Sequence, residues 1–274
     1  MTISVIIPAY KAAQTIERAL ASVAAQTLKP DEVIVVDDGS KDGTFEAAEA
    51  FMGQMSGINL KVVNQQNLGA GAARNRAIAE ASGTWLAFLD ADDEWLPEKL
   101  SVSMKAINES HLTIFAHNYL SIKGAEERLV DCAARYRAAS DPYIGLYRKG
   151  FLATSTVMVR HDAVVAAGCF DETLATAQDF DLWLKVLKKD GASFRVEPDA
   201  LTRYHITPGS ITSHTDRRLE CSRLIARRHA PGWADHRYRI IAIHYEAIEG
   251  ARQYGRSVMV LRYLFFLPFR LVTG

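Results

Sequence analysis

Three aspartates fall within four positions in Phe88-Leu89-Asp90-Ala91-Asp92-Asp93, directly after the apolar run Trp85-Leu86-Ala87-Phe88-Leu89. A second acidic cluster, Asp37-Asp38-Gly39-Ser40, closes the apolar run Val33-Ile34-Val35-Val36. Either one alone reads as a turn, because Asp, Gly and Ser hydrogen-bond the local backbone. Two of them at the ends of successive strands point to a site, since ligands of open parallel sheets bind beyond the carboxyl ends of the strands. Carboxylates gathered in one crevice repel one another unless a cation or hydrogen-bond donors sit among them. Mg²⁺ and Mn²⁺ prefer oxygen ligands, and Mg²⁺ commonly takes one or two carboxylates together with substrate phosphates. The pattern therefore predicts a nucleoside diphosphate bridged to the chain through a divalent metal. On a strand Asp90 and Asp92 share a face, and Asp93 points elsewhere or into the turn.

A third group of acids opens the run Gln178-Asp179-Phe180-Asp181-Leu182-Trp183, where Phe180, Leu182, Trp183, Val186 and Leu187 recur at helical spacing. Asp is a preferred N-cap, so either acid suits a helix start. A carboxylate there also suits a general base. Two residues apart, the pair cannot both face one crevice, so one is free to cap while the other works. "GAGAARNRA" is no phosphate-binding GxGxxG, because Arg74 stands where the third glycine belongs; Arg74 reads either as a nucleotide contact or as a solvated helix arginine. His205, in "RYHITPGSIT", is a metal or phosphate ligand on a lid-like loop, or merely an exposed histidine.

Positioning these groups takes an alternating chain. Residues 3–10 and 33–40 read as buried strands, as do "LKVVNQ" and "TWLAFLDADD"; helices fit 16–23, 42–52 and 69–82, and Pro97 opens another. Strands alternating with helices predict a mostly parallel sheet covered on both faces. The stretch 111–215 is mixed, with "STVMVR" as a strand.

Taken in order, "SVIIPAYKAAQTIERALASVAAQT", "VIVVDDGSKDGT", "NLGAGAARNRAI", "WLAFLDADD" and "DFDLWLK" resemble the inverting, nucleotide-sugar-dependent glycosyltransferases of family 2. The resemblance covers about residues 1–215 and implies a GT-A fold, a Rossmann-like sheet with flanking helices. It implies that Asp38 contacts the nucleotide base, usually uracil, opposite a wall of Pro8, Ala9 and Tyr10. A carboxylate accepting from uracil N3–H and a tyrosine ring for stacking suit those roles. It further implies Arg74 near the nucleotide, Asp93 as metal ligand, Asp92 on the ribose or a metal-bound water, and Asp90 in support. The family's base is an Asp in a Glu-Asp-x-Asp-Leu-Trp pattern, which makes Asp179 the match, with Asp181 supporting and Gln178 in place of the usual Glu. "GFLATSTVMV" resembles the acceptor-side wall, with Thr154 and Ser155 as partners of sugar hydroxyls. His205 is expected as a further metal or phosphate contact. Mn²⁺ or Mg²⁺ is the expected cofactor, a UDP-sugar the expected donor, and a glycan or lipid-linked hydroxyl the expected acceptor. The family's processive members carry Gln-x-x-Arg-Trp, whereas Gln253-Tyr254-Gly255-Arg256 continues with Ser257, so non-processive transfer is expected.

Lys+Arg and Asp+Glu both number 32, yet residues from Arg217 onward hold 11 Arg and 4 acids, so the body is acidic and the C-terminal stretch basic. The division expected is a transferase domain over 1–215 and an Arg-rich helical extension over 216–274. Tyr263, Phe265, Phe266 and Phe269, interspersed with Arg256, Arg262 and Arg270, make 256–272 either an anchor on anionic lipid at the cytoplasmic membrane face or a helix packed as core or dimer interface. Cys132, Cys169 and Cys221 are widely spaced and fit reduced thiols in a cytosolic protein. The N-terminus lacks the basic region of a signal peptide, no run is long enough to span a membrane, and no nucleic-acid-binding motif is present. A nucleotidyltransferase would also use acidic metal ligands but should show a Gly-rich basic loop after the first strand, where "PAYKAAQT" offers Lys11 alone. A catalytically silent sugar-nucleotide binder or membrane scaffold has no need to keep Asp38, Asp92, Asp93 and Asp179 together.

Overall fold

The computed structural model describes residues 1–206 and 215–253. Strands β1 (Ile3–Ala9), β2 (Glu32–Asp37), β3 (Asn59–Asn64) and β4 (Trp85–Phe88) alternate with helices α1 (Ile16–Ala24), α2 (Thr44–Ala50) and α3 (Ala70–Glu80). The short strand β5 (Glu94–Trp95) and helix α4 (Lys99–Glu109) lead into a hairpin of β6 (Ile114–Lys123) and β7 (Glu126–Val130). Helices α5 (Cys132–Arg137) and α6 (Pro142–Lys149) follow. Strand β8 (Met158–Arg160), α7 (His161–Ala166), α8 (Gln178–Leu187), β9 (Phe194–His205), α9 (Thr215–His229) and α10 (Trp233–Gln253) complete the order.

The sheet runs β3-β2-β1-β4-β8-β6-β9-β5, with β7 on the edge of β6. From β3 to β4 every pairing is parallel; β8 then runs antiparallel between β4 and β6, and β6 pairs β9 in parallel. Alternation sorts each strand into two cores. On β1, Ile6 packs with α3 and α8 on one face, while Val5 and Ile7 pack with α1 and α4 on the other. That two-sided burial is why these strands read as unbroken apolar runs.

Local geometry brings the acids to one edge. Gly39 turns the chain after β2 at φ +74°, in the left-handed region that favours glycine, and a Cβ there would lie 2.9 Å from the backbone nitrogen of Asn67. "STVMVR", read as one strand, divides into a 3₁₀ turn, Thr154–Thr156, and the three-residue β8. The expected helix over 42–52 likewise ends at Ala50, and Phe51–Gln54 finish it as a 3₁₀ turn. Helices α9 and α10 form a hairpin around Leu219, Ala226, Ile240, Ile243, Ala247 and Ile248. No described helix is long and apolar enough to cross a membrane. The segment 256–272 lies outside the described residues, as does most of the loop after His205.

Candidate active site

At the carboxyl end of β2, Asp37 and Asp38 take separate roles. Asp37 is fully buried and closes its own turn, accepting from Ser40 Oγ and from Asn64 Nδ2 at 3.2 Å. Asp38 accepts from Gln65 Nε2 at 2.8 Å, from the Leu68 amide at 2.9 Å and from the Gly69 amide at 2.8 Å. It thereby fixes the entry to α3. Of about four acceptor positions on a carboxylate, one remains for a ligand donor. Pro8 and Ala9 are buried in β1, whereas Tyr10 is exposed just beyond its end. Lys11, at φ 52°, donates its backbone N–H to Ser40 Oγ at 2.8 Å and so binds the two strand ends together.

At the end of β4 the three aspartates are held differently. Asp90 pairs with Arg74 at 2.6 Å, and Arg74 in turn lies over the Phe170 ring. Burial disfavours the charged guanidinium, but the charges of Asp90 and Asp179 outweigh it and raise the pKa of Arg74. Arg18 of α1 donates to the Asp92 carbonyl and holds the turn. Asp93 is 1% exposed; its Oδ2 accepts from Ser155 Oγ at 2.5 Å and its Oδ1 from the His205 amide at 2.9 Å. Burial pushes the Asp93 carboxyl well above the usual carboxylate range, the charges of Asp90 and Asp92 push it further, and those two hydrogen bonds oppose them.

The acid at the start of α8 completes the arrangement. Asp179 is half-buried and its Oδ2 accepts from Thr154 Oγ1 at 2.8 Å. The helix begins after Ala177, a left-handed residue at φ 57° whose side chain caps nothing. Asp181 faces the other way and is wholly buried, accepting from His229 Nε2 at 2.8 Å and Arg228 at 2.9 Å and pairing with Lys185 at 2.7 Å. Gln178 donates to the Leu174 carbonyl, and its amide packs on α3 where a Cβ at Gly71 would meet it at 2.9 Å. The consecutive hydroxyls of Thr154 and Ser155 thus hold Asp179 and Asp93, two carboxylates far apart in sequence.

The structure changes two expected roles. Ser155 is fully buried and its hydroxyl is engaged with Asp93 and the Asp90 amide, so it serves that turn rather than a sugar. His205 reaches the acids through its backbone N–H, while its imidazole lies 3.4 Å from Glu94. Two residues were not read from the sequence. Arg18 sits on the polar face of a helix and carries no motif. The Tyr204 phenol is held well above its ordinary pKa by burial and then by the charges of Asp93, Asp90 and Asp92.

The donor set fits a hard divalent cation. It is all oxygen, and one of its carboxylates, Asp93, has a raised pKa that a nearby positive charge would relieve. Among the described residues no three acidic, histidine or cysteine side chains already form a metal cage.

Residues 4–164 match the family model described as Glycosyl transferase family 2. The chain belongs to glycosyltransferase family 2. Among its relatives, the amylovoran biosynthesis glycosyltransferase AmsB of Erwinia amylovora is 29% identical over 75% of this chain and 70% of its own. The UDP-Glc:alpha-D-GlcNAc-diphosphoundecaprenol beta-1,3-glucosyltransferase WfgD of Escherichia coli is 28% identical over 80% of this chain and 82% of its own. The solved S. aureus TarS 1-349 with UDP-GlcNAc superposes with a TM-score of 0.70 at 24% identity, covering 97% of this chain and 80% of that one. The mannosyltransferase PcManGT of Pyrobaculum calidifontis, in complex with GDP-Man and Mn²⁺, superposes at 0.68 with 18% identity, covering 99% and 82%. These likenesses establish the GT-A fold for this family 2 chain. Asp179 and α8 lie beyond the segment that the family model matches.

Proposed function

We propose that this family 2 member is an inverting, non-processive glycosyltransferase that moves one sugar from a UDP-sugar to an acceptor hydroxyl in polysaccharide or glycoconjugate assembly. The observation that carries the reading is the Thr154–Ser155 turn, which ties a half-buried carboxylate to the acidic edge of the sheet. In this reading Tyr10 stacks on the base and Asp38 uses its remaining lone pair on the uracil N3–H. Asp92 and Asp93 hold Mn²⁺ or Mg²⁺, which when bound offsets the charge that develops on the departing diphosphate. Asp179 accepts the proton of the acceptor hydroxyl at Oδ1 while Thr154 keeps Oδ2. Attack from the side of Asp179, opposite the nucleotide, inverts the anomeric centre. The names of AmsB and WfgD support polysaccharide assembly and a UDP-linked donor, and the manganese in PcManGT supports the metal. Residues 256–272 are the candidate contact with anionic membrane.

Calorimetric titration with UDP, GDP and dTDP, each with and without Mn²⁺, tests the donor half of this proposal. UDP is expected to bind tightest, and its affinity to fall about tenfold or more without the metal or in Asp93→Ala. Because protons compete for a carboxyl whose pKa is raised, metal-dependent binding is expected to weaken as pH falls through that raised value. Equal UDP affinity with and without metal would remove Asp93 from the ligand set.

A further inference from the structure

Helix α10 has two unlike faces. One carries Ile240, Ile243, Ala247 and Ile248 into the hairpin with α9, and Arg239 into the body of the protein. The other exposes Trp233, Arg237, Ile241 and Tyr245, spaced every fourth residue and so aligned in one stripe, with Tyr238 beside it. The Arg237 guanidinium lies over the Trp233 ring at 4.6 Å. Between Trp233 and Ile248 no unpaired acid lies on this face: its remaining exposed or half-buried positions there are Ala234 and Ala242, while Asp235 is paired with Arg148 and Glu246 with Arg239; Glu249 follows Tyr245 in the same series.

We propose that this face of α10 is a docking surface for an anionic lipid bilayer. Tyr and Trp are the side chains that favour the depth between headgroups and acyl chains, where one end is apolar and the other wet. Arginine beside them adds attraction to anionic headgroups. A water-facing helix would carry charge at most of these positions. Charge along the chain points the same way. After Glu249 the sequence holds no further acid, and it adds Arg252, Arg256, Arg262 and Arg270. The docking face therefore leads directly into the segment already proposed for lipid contact, and this inference extends that reading to a defined helix face.

The opposite side of α10 is fixed to the site. Arg239 lies over the Phe180 ring at 4.8 Å, one residue from Asp179. A bilayer bound to Trp233 and Tyr245 is thus held in a set relation to the start of α8.

The four tryptophans provide the test. Trp233 is 73% exposed, whereas Trp85, Trp95 and Trp183 are 4%, 3% and 0% exposed. Fluorescence quenching by brominated acyl chains therefore reports on Trp233 in the intact 274-residue chain. Vesicles containing phosphatidylglycerol should quench and blue-shift the emission, whereas phosphatidylcholine alone should not, and salt should weaken the effect. The signal should disappear in Trp233→Phe. Ile241→Asp combined with Tyr245→Asp should lower vesicle affinity about tenfold or more and leave UDP binding unchanged. Vesicle binding without quenching would assign the contact to residues beyond α10 and overturn the proposal. A concentration-dependent blue shift without lipid, accompanied by dimer in sedimentation, would give the face to a second copy and overturn it as well. Failure of UDP to bind would instead sink the transferase reading and leave the quenching result intact.

Discussion

Asp179→Asn is expected to lower kcat by about 10²–10⁴-fold, the usual contribution of a positioned general base, while UDP affinity stays within about twofold. The amide keeps the shape of the side chain and can still accept from Thr154 Oγ1, so the fold has no reason to change. It cannot take a proton from an acceptor hydroxyl at neutral pH. Donor affinity should be spared because the proposed nucleotide contacts are the DDGS and DADD edges, held by partners other than Asp179. Thr154→Val refines the result. Losing the hydrogen bond that orients Asp179 Oδ2 should lower kcat while UDP affinity stays unchanged. Full activity in Asp179→Asn would reassign the base. An unchanged kcat in Thr154→Val would reduce that residue to packing.

Asp181→Ala is expected to cost about 3 kcal/mol or more of unfolding free energy, at the lower end of the range for breaking a buried ion pair. Arg228 and Lys185 are partly exposed and can turn to solvent, but His229 is buried and loses its acceptor. The same residue sets an acid limit. Burial pushes the Asp181 carboxyl up, but the hydrogen bond from His229 and the charge and hydrogen bond of Lys185 outweigh it, and its pKa falls to about 2. A depressed carboxylate stabilises the fold above its unfolded value, and that stability is lost as pH falls through the folded one. About 2 kcal/mol should therefore disappear between roughly pH 4 and pH 2 in the native chain and be missing already in Asp181→Ala. Urea unfolding followed across that range measures both, and equal acid sensitivity in the two proteins would contradict the assignment.

The strands of the parallel half were legible because burial on both faces leaves an uninterrupted apolar signature, as in Val33–Val36. The acids were legible because turn residues mark strand ends. Strand β9 was not, since its sequence Phe194-Arg195-Val196-Glu197-Pro198-Asp199-Ala200 alternates poorly and contains a proline. It is accommodated by register shifts against β6 around Asn118, where the Asn118 side chain donates to the Pro198 carbonyl. The two roles at the start of α8 were half legible. Spacing showed that Asp179 and Asp181 must diverge, but only the contacts with Thr154 on one side and His229 on the other say which faces what. Ser155 was misplaced for a similar reason: a hydroxyl beside a site looks the same in sequence whether it faces a ligand or a buried carboxylate.

The two hydrogen bonds on Asp93 have a consequence for biogenesis. They join it to Ser155 and His205 across 62 and 112 positions of sequence. Contacts of such separation form only after the intervening chain has collapsed, and they make folding slow. A nascent chain whose last folded residue precedes β9 carries the DDGS and DADD sequences but lacks the His205 bond to Asp93. Nucleotide binding is therefore expected only once β9 has docked, and chains not yet extended through β9 would not sequester the donor.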